Sequence, residues 1–596
     1  MYTKKYKNEI DGIYIDPPYN TDASPIIYKN GYKHSSWASM FVDRMSLASE
    51  LLKPERLVCV AIDDYEYPHL FSFMEGELGF SHIGTAAVRS KPQGRPTATG
   101  FSANHEYAVF WARTEAPELG RLPRKGSKAE RYPHTDKKGI YSWANFRKSG
   151  TDSDRSDRKK SFYPVYVRHE KIRVPEMNWN PDIEEWELLE EPQTGETAVW
   201  PVDANGKEKV WTCSAKRLAD EIDDVKVISS DDGSIELQKK YRPNQAGALP
   251  GTWWDSSEYS ASESGTKILK DQFGDKGFDF PKSINLVVDN LRVLNVNASS
   301  IILDYFAGSG TTACAAISLN REDQGSRKYI MVEQGAYFDS VIKPRIQKVV
   351  YASDWKDGRP INPISGISHA FKVLRLEGYE DAINNLDIKR EETQQSLLET
   401  AEVQGDDGLR EQYMLRYMLD VETRKSQSLL NIDAFSDPTA YTLKFKHPGS
   451  DETRKVNVDL LETFNYLVGI TVQSIAAPQT FQTAFKRDDE GRLRLDGRLR
   501  QNESGPWWFR TVYGTTPEGR RTLVIWRKQT GDAEQDNLVL DEWFTRQGYS
   551  TRDYEFDLIY VNGDCNLENL RAPDETWKVR LIEEDFHRLM FDTTGL

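Results

Sequence analysis

Cysteine is scarce in this 596-residue chain: Cys59, Cys213, Cys314 and Cys565 stand alone, with no second Cys or His at ligand spacing. That excludes a disulfide-stapled secreted scaffold and a Cys/His zinc motif, and no metal site is expected. Long apolar runs are missing too. Nothing approaches the roughly 20 residues that cross a bilayer, and the first residues hold no signal-type stretch, so a cytoplasmic chain without a membrane partner is expected. Neither internal repeats nor low-complexity tracts occur. A basic excess is absent as well, since 78 Lys and Arg against 93 Asp and Glu leave a net charge of −15. What remains is a globular composition, 38% hydrophobic and 11% aromatic, long enough for several domains with a sizeable core.

Two strand-turn segments carry chemistry. Asp11-Gly12-Ile13-Tyr14-Ile15 reads as a strand that empties into Asp16-Pro17-Pro18-Tyr19-Asn20-Thr21. Each proline fixes φ and removes a donor, so the turn is stiff and its carbonyls are acceptors in search of donors. The Asp16 carboxylate beside the Pro17 carbonyl complements an NH2 group, which has two donors. Tyr19 adds a face for a planar ring. The turn suits a flat heterocycle with an exocyclic amine, although Pro-Pro also marks ordinary loops.

Far downstream, Ile301-Ile302-Leu303-Asp304 empties into Tyr305-Phe306-Ala307-Gly308-Ser309-Gly310. Gly308, Gly310 and Ala313 fit the loose glycine pattern of nucleotide-cofactor turns, and Glu333 ends the next apolar strand, Lys328 to Val332. An acid there commonly holds ribose hydroxyls. The same spacing serves NAD enzymes, but hydride transfer has no use for an amine clamp.

The pair resembles the DNA amino-methyltransferases of β-type motif order, and more narrowly the Mod subunit of type III restriction-modification systems. Val60 to Glu66, Asn104-His105-Glu106-Tyr107 and Phe280-Pro281-Lys282-Ser283 agree with that family. So do Tyr379-Glu380-Asp381, Asp420 to Thr423, Glu462 to Leu467 and Trp526-Arg527. The resemblance implies a Rossmann-like α/β sheet with an inserted target-recognition domain and an α+β carboxyl-terminal region. It implies adenine N6-methylation of a flipped-out base from S-adenosylmethionine, with Asp16, Pro17, Pro18 and Tyr19 catalytic. Asp304, Phe306, Gly308 and Gly310 would hold the cofactor, Glu333 its ribose and Lys282 its methionine end. Implied partners are double-stranded DNA, a second copy of the chain and a helicase-nuclease Res subunit. Cytosine's amine would satisfy the same two acceptors, so the base rests on the family association of Asp at the first motif position with adenine.

Charge distribution supports DNA. Arg121 to Lys160 holds thirteen Lys or Arg against five Asp or Glu, leaving about −23 on the rest of the chain. Arg147, Lys148, Arg155, Arg158, Lys159 and Lys160 alternate with Tyr141, Trp143, Phe146, Phe162 and Tyr163, a mixture suited to phosphates and base edges.

The expected organisation is a catalytic half at 1–113, a recognition insertion at 114–250, a cofactor half at 251–350, a linker and helical segment at 351–430 and a terminal α+β region at 431–596. Helices are expected at Ser39 to Leu52, Pro68 to Leu78, from Gly265, at Pro281 to Val293, Glu391 to Leu419 and near Ile582 to Met590. Mod-like chains carry, before Asp-Pro-Pro-Tyr, a strand ending in Gly-Asp-Asn that helps hold the cofactor. Only ten residues precede Asp11, so a strand is expected to be missing, by truncation or because another polypeptide supplies it. The alternatives left open are DNA recognition without methylation and methylation of an RNA or protein amine.

Overall fold

The computed structural model describes residues 2–20, 33–94, 101–115, 117–230, 233–274, 277–387, 423, 426–446, 452–571 and 577–591. Residues 119–250 form one compact unit, and residues 1–118 with 251–596 form the other.

The larger unit is built on a seven-stranded sheet: β1 Ile10–Ile15, β2 Leu52–Ile62, β3 Ser81–Val88, β4 Glu106–Ala112, β5 Trp253–Trp254, β6 Ile301–Asp304 and β7 Lys328–Met331, in the order β5-β3-β4-β2-β1-β6-β7. β1 pairs in parallel with β2 and β6, and β6 with β7, whereas β4 runs antiparallel to β2 and β3. All six residues of β1 are buried, as befits a strand covered on both faces. Asp11 fixes its register: the buried carboxylate accepts from the Ile301 N–H at 2.9 Å and from Lys53 Nζ at 2.7 Å. β7 is the sheet's edge, and no described strand pairs with its outer side. The residues before β1 form a short helix, Tyr2–Tyr6, which places Lys5 Nζ 4.6 Å from the Tyr466 ring centroid.

Helix Lys33–Leu51 begins six residues before the expected Ser39, because Trp37 belongs to the same buried stripe as Phe41, Met45 and Ala48. That spacing of 4, 4 and 3 is one helical face. Tyr67–Phe71 opens a helix that widens at Ser72–Glu77. Helix Ile284–Val293 starts at Ser283, whose hydroxyl accepts from the Leu286 N–H. Helix Thr311–Asp323 follows Gly310 directly and buries Ala313, Cys314, Ala315, Ala316 and Ile317, small residues that let it lie close to its neighbours. The expected helix Glu391 to Leu419 lies outside the described residues. Farther on, a second seven-stranded sheet, between Thr471 and Leu581, packs against helix Ala533–Arg546, where Trp543 stacks on Phe509 at 4.4 Å.

The smaller unit has its own core of Phe146, Tyr163, Val165, Val167, Trp211, Leu218 and Leu237. A four-stranded antiparallel sheet includes Gly139–Asn145 and Ile235–Tyr241, and a three-stranded one includes Val165–Arg168 and Thr197–Val199. The basic-aromatic segment expected to meet DNA lies in this unit, and its side chains divide between core and surface. Phe146 and Tyr163 are core side chains. Arg155 is held by Glu185 at 2.6 Å and Glu208 at 2.9 Å, and Lys159 by Glu184. Arg147 donates to the Val202 carbonyl at 2.5 Å, and Lys160 lies over the Trp179 ring. Their partners lie 19 to 55 residues away along the chain, which a count over one segment cannot register. Lys148 and Arg158 have no acidic side-chain partner among the described residues.

Candidate active site

The two turns leave adjacent parallel strands, β1 and β6, whose register pairs Gly12 with Ile302 and Ile13 with Leu303. Both therefore emerge at one end of the sheet, on a single cleft of about 1610 Å³ lined by Asp16, Pro17, Pro18, Tyr19, Glu106, Lys282, Asp304, Phe306, Gly308 and Glu333.

At one end Lys282 Nζ binds Glu106 Oε2 at 2.7 Å and Asp16 Oδ1 at 3.3 Å. It also donates to the Tyr19 hydroxyl and lies 4.7 Å from that ring's centroid. Burial works against the ammonium, but Asp16 and Glu106 outweigh it and hold its pKa above the ordinary lysine value. Burial raises the Asp16 carboxyl, with Lys282 pulling the other way. The Tyr19 phenol is pushed well up by burial and then by the Asp16 charge, so it stays protonated as a donor. The Pro18 carbonyl accepts from the Trp37 indole at 2.8 Å, which anchors the turn. The Pro17 carbonyl has no partner among the described residues and is an acceptor on the cleft.

At the other end Gly308 and Gly310 have φ of 55° and 79°, the left-handed region that glycine enters without strain. This bends the backbone into the free N–H groups of helix Thr311–Asp323. Asp304 is 2% exposed and accepts from the Phe306 N–H at 3.0 Å and the Thr312 hydroxyl at 2.6 Å. Burial still drives its pKa up to about 7. Glu333 accepts from the N–H groups of Gly308, Gln334 and Gly335 at 2.8, 2.9 and 2.8 Å. A carboxylate has about four acceptor sites, so capacity remains for one further donor such as a ribose hydroxyl.

Two contributors went unread in the sequence. Glu106, quoted only within a family block, heads β4 and is the second carboxylate on Lys282. Arg345 is fully buried, and its guanidinium donates to the Ser309 carbonyl at 3.0 Å, the Ser309 hydroxyl at 2.7 Å and Gln272 Oε1 at 3.2 Å. A cation in an apolar helical stripe was the available signal. Lys282, expected at the cofactor's methionine end, is bound to Asp16 and Glu106.

The fold and cleft define a transferase that seats a nucleoside-containing cofactor on the β6 turn and presents the β1 turn to an amine. The chain belongs to the DNA methylase family, whose N6/N4-methyltransferase model matches residues 10–343. Type II methyltransferase M.KpnI of Klebsiella pneumoniae is 32% identical over 342 residues, covering 56% of this chain and 76% of that one. The type III restriction-modification enzyme EcoPI Mod subunit of Escherichia phage P1 is 29% identical over 367 residues, covering 55% of this chain and 54% of that one. The chain thus spans about half the length of that Mod subunit. Among solved structures, the cytosine-N4-specific PvuII DNA methyltransferase is 12% identical, covers 57% of this chain and 80% of that one, and has a TM-score of 0.30. This is an S-adenosylmethionine-dependent DNA methyltransferase. The residues present fit that cofactor: the glycine turn lets the backbone approach it, and Glu333 keeps an acceptor site for a ribose hydroxyl.

Proposed function

We propose that the chain is the modification and DNA-recognition subunit of a type III-like restriction-modification system and methylates adenine N6 in duplex DNA. The observation that carries the chemistry is the shared cleft, with an amine clamp at one end and a nucleoside turn at the other. The 29% identity to a Mod subunit supports the system.

Adenine's exocyclic nitrogen is a weak nucleophile because its lone pair is delocalised into the ring. Asp16 and the Pro17 carbonyl each accept one amine hydrogen and pull the nitrogen toward the pyramidal form, and fixed dipoles of this kind count most where charge changes. S-adenosylmethionine, when bound, supplies a sulfonium methyl. Positioning amine and methyl in line lowers the barrier by several kcal/mol, on the order of the effect of good intramolecular orientation. Asp16, whose proton affinity burial raises, is placed to receive the proton that the methylated nitrogen sheds. Lys282 and Glu106 hold Asp16 in place, and Tyr19 lines the receiving pocket for a base that must leave the stack. A second copy of the chain and a helicase-nuclease subunit are the proposed partners, in the cytoplasm.

The test is transfer of labelled methyl from S-adenosylmethionine to DNA. Asp16→Ala abolishes it while cofactor binding persists, and absence of transfer from the intact protein, with or without a partner, refutes the reading. A second reading, site-specific recognition without methylation, is favoured by one observation: β7 ends the sheet with no described strand beyond it. Site-specific DNA binding without measurable cofactor affinity selects it. Transfer to RNA but not to duplex DNA points instead to an RNA amino-methyltransferase.

A further inference from the structure

Three residues that do not line the cofactor cleft meet beside the catalytic turn. His34 lies in the first turn of helix Lys33–Leu51, Glu66 follows β2, and His69 lies one turn beyond Glu66. His34 Nδ1 is 3.0 Å from Glu66 Oε1, and His69 Nδ1 is 3.0 Å from Glu66 Oε2. The imidazole centroids are 4.6 Å apart, and one ligand atom from each residue lies within 4.8 Å of the others. Glu66 is fully buried.

A hydrogen-bonded His-Glu-His cluster would account for the short distances but not for the orientation. Glu66 Oε2 and His69 Nδ1 are both buried and neither has a hydrogen-bond partner, although they face each other at 3.0 Å. Two buried polar atoms brought that close without an aligned hydrogen bond have the arrangement that ligands of a shared cation would take. Ligands about 2.0–2.2 Å from a tetrahedral metal stand little more than 3 Å apart. Two imidazoles and one carboxylate suit first-row transition ions better than magnesium or calcium, which favour all-oxygen shells.

We propose that His34, Glu66 and His69 bind a divalent transition metal of the zinc type as a three-ligand site with its fourth position open to water. The His34 and His69 side chains are 48% and 43% exposed, which gives an ion access. The site is a positioning device. Glu66 Oε1 also accepts from Asn20 Nδ2 at 2.5 Å, and Asn20, at φ 58°, closes the turn that begins at Asp16. An ion that fixes Glu66 therefore fixes the far end of the amine clamp.

The test uses the full-length protein, dialysed against a chelator and then titrated with Co2+ followed by Zn2+. The expected result is one Co2+ per chain with visible d–d absorption, bleached by one equivalent of Zn2+. Glu66→Gln and His69→Ala should weaken binding at least about 100-fold, since even outer partners of metal ligands are worth ~10–100-fold. His34→Ala, altered at a half-exposed position, guards against loss by misfolding and should also weaken Zn2+ binding while leaving the melting temperature of the metal-free protein unchanged. In the wild type, Zn2+ should raise kcat for methyl transfer with little change in KM for S-adenosylmethionine, and the His34 variant should lose that response. Wild-type protein that binds neither ion below millimolar concentration, or variants that bind as tightly as wild type, would show a hydrogen-bonded cluster only and overturn the proposal.

Discussion

Replacing Asp304 with Asn removes a charge from a position where burial resists it. The carboxyl is 2% exposed, and its pKa is driven up to about 7. Against an ordinary value near 4, that difference corresponds to about 4 kcal/mol at most, since tenfold in an equilibrium is about 1.4 kcal/mol. For an acid raised in the folded state, the stability is fully present below the unfolded value near pH 4 and is lost as pH climbs through about 7. Asparagine has no such loss. Its cost is local: the Thr312 hydroxyl, which now donates to Asp304 at 2.6 Å, must turn to accept from an amide, a change of about 1 kcal/mol. The variant should therefore be slightly less stable than wild type at pH 4.5 and about 2 kcal/mol more stable at pH 8. At about 2–4 °C per kcal/mol for a domain of this size, the melting-temperature difference between the two proteins should swing by roughly 4–9 °C and change sign. Taking that difference cancels every other titrating group. Two melting curves that stay parallel from pH 4.5 to 8 refute the account of Asp304. A more stable variant with weaker S-adenosylmethionine binding would show the usual exchange of stability for function at a site.

Lys282→Met leaves the buried Glu106 and the half-buried Asp16 without their shared cation; a loss of about 3 kcal/mol, the lower end for buried pairs, is expected, smaller at pH 5 than at pH 8 because one carboxyl can then take up a proton, read by urea unfolding at both values. Arg345→Met should raise KM for S-adenosylmethionine as well as lower the melting temperature, because it frees the Ser309 loop; a lower melting temperature with unchanged KM would reduce Arg345 to a core support. Lys148→Ala and Arg158→Ala should each lower the slope of log affinity for DNA against log salt by about one, whereas Arg155→Ala, which breaks contacts to Glu185 and Glu208, should act mainly on the stability of residues 119–250.

Much of the catalytic sheet was legible because its signals are local. The runs at Ile13 to Ile15 and Ile301 to Leu303 both lie within observed strands. Apolar runs ending in a carboxylate and a turn carry their own boundary. β3 escaped notice because Ser81-His82-Ile83-Gly84-Thr85 has little apolar content, and only Ala86 and Val88 are buried. Glu106 and Lys282 are 176 residues apart, and neither segment alone predicts their contact. The pairing of Arg155 with Glu208 and Glu185, 53 and 30 residues away, is invisible in its own segment for the same reason.

The order of the motifs matters less to the site than the sequence suggests. Asp16 and Asp304 are nearly three hundred residues apart, yet they end neighbouring parallel strands, so their proximity depends on the β1–β6 register and not on the chain between them. Parallel strands lie about 4.8 Å apart, and a one-residue slip would turn every side chain of β1 to the opposite face. Asp11 guards against that slip: one carboxylate oxygen binds the first N–H of β6 and the other binds Lys53 on β2. An insertion of 132 residues, 119–250, can therefore be carried between the catalytic and cofactor turns without disturbing either. The amine clamp is set by two residue pairs, Gly12 with Ile302 and Ile13 with Leu303, and by the Asp11 anchor beside them.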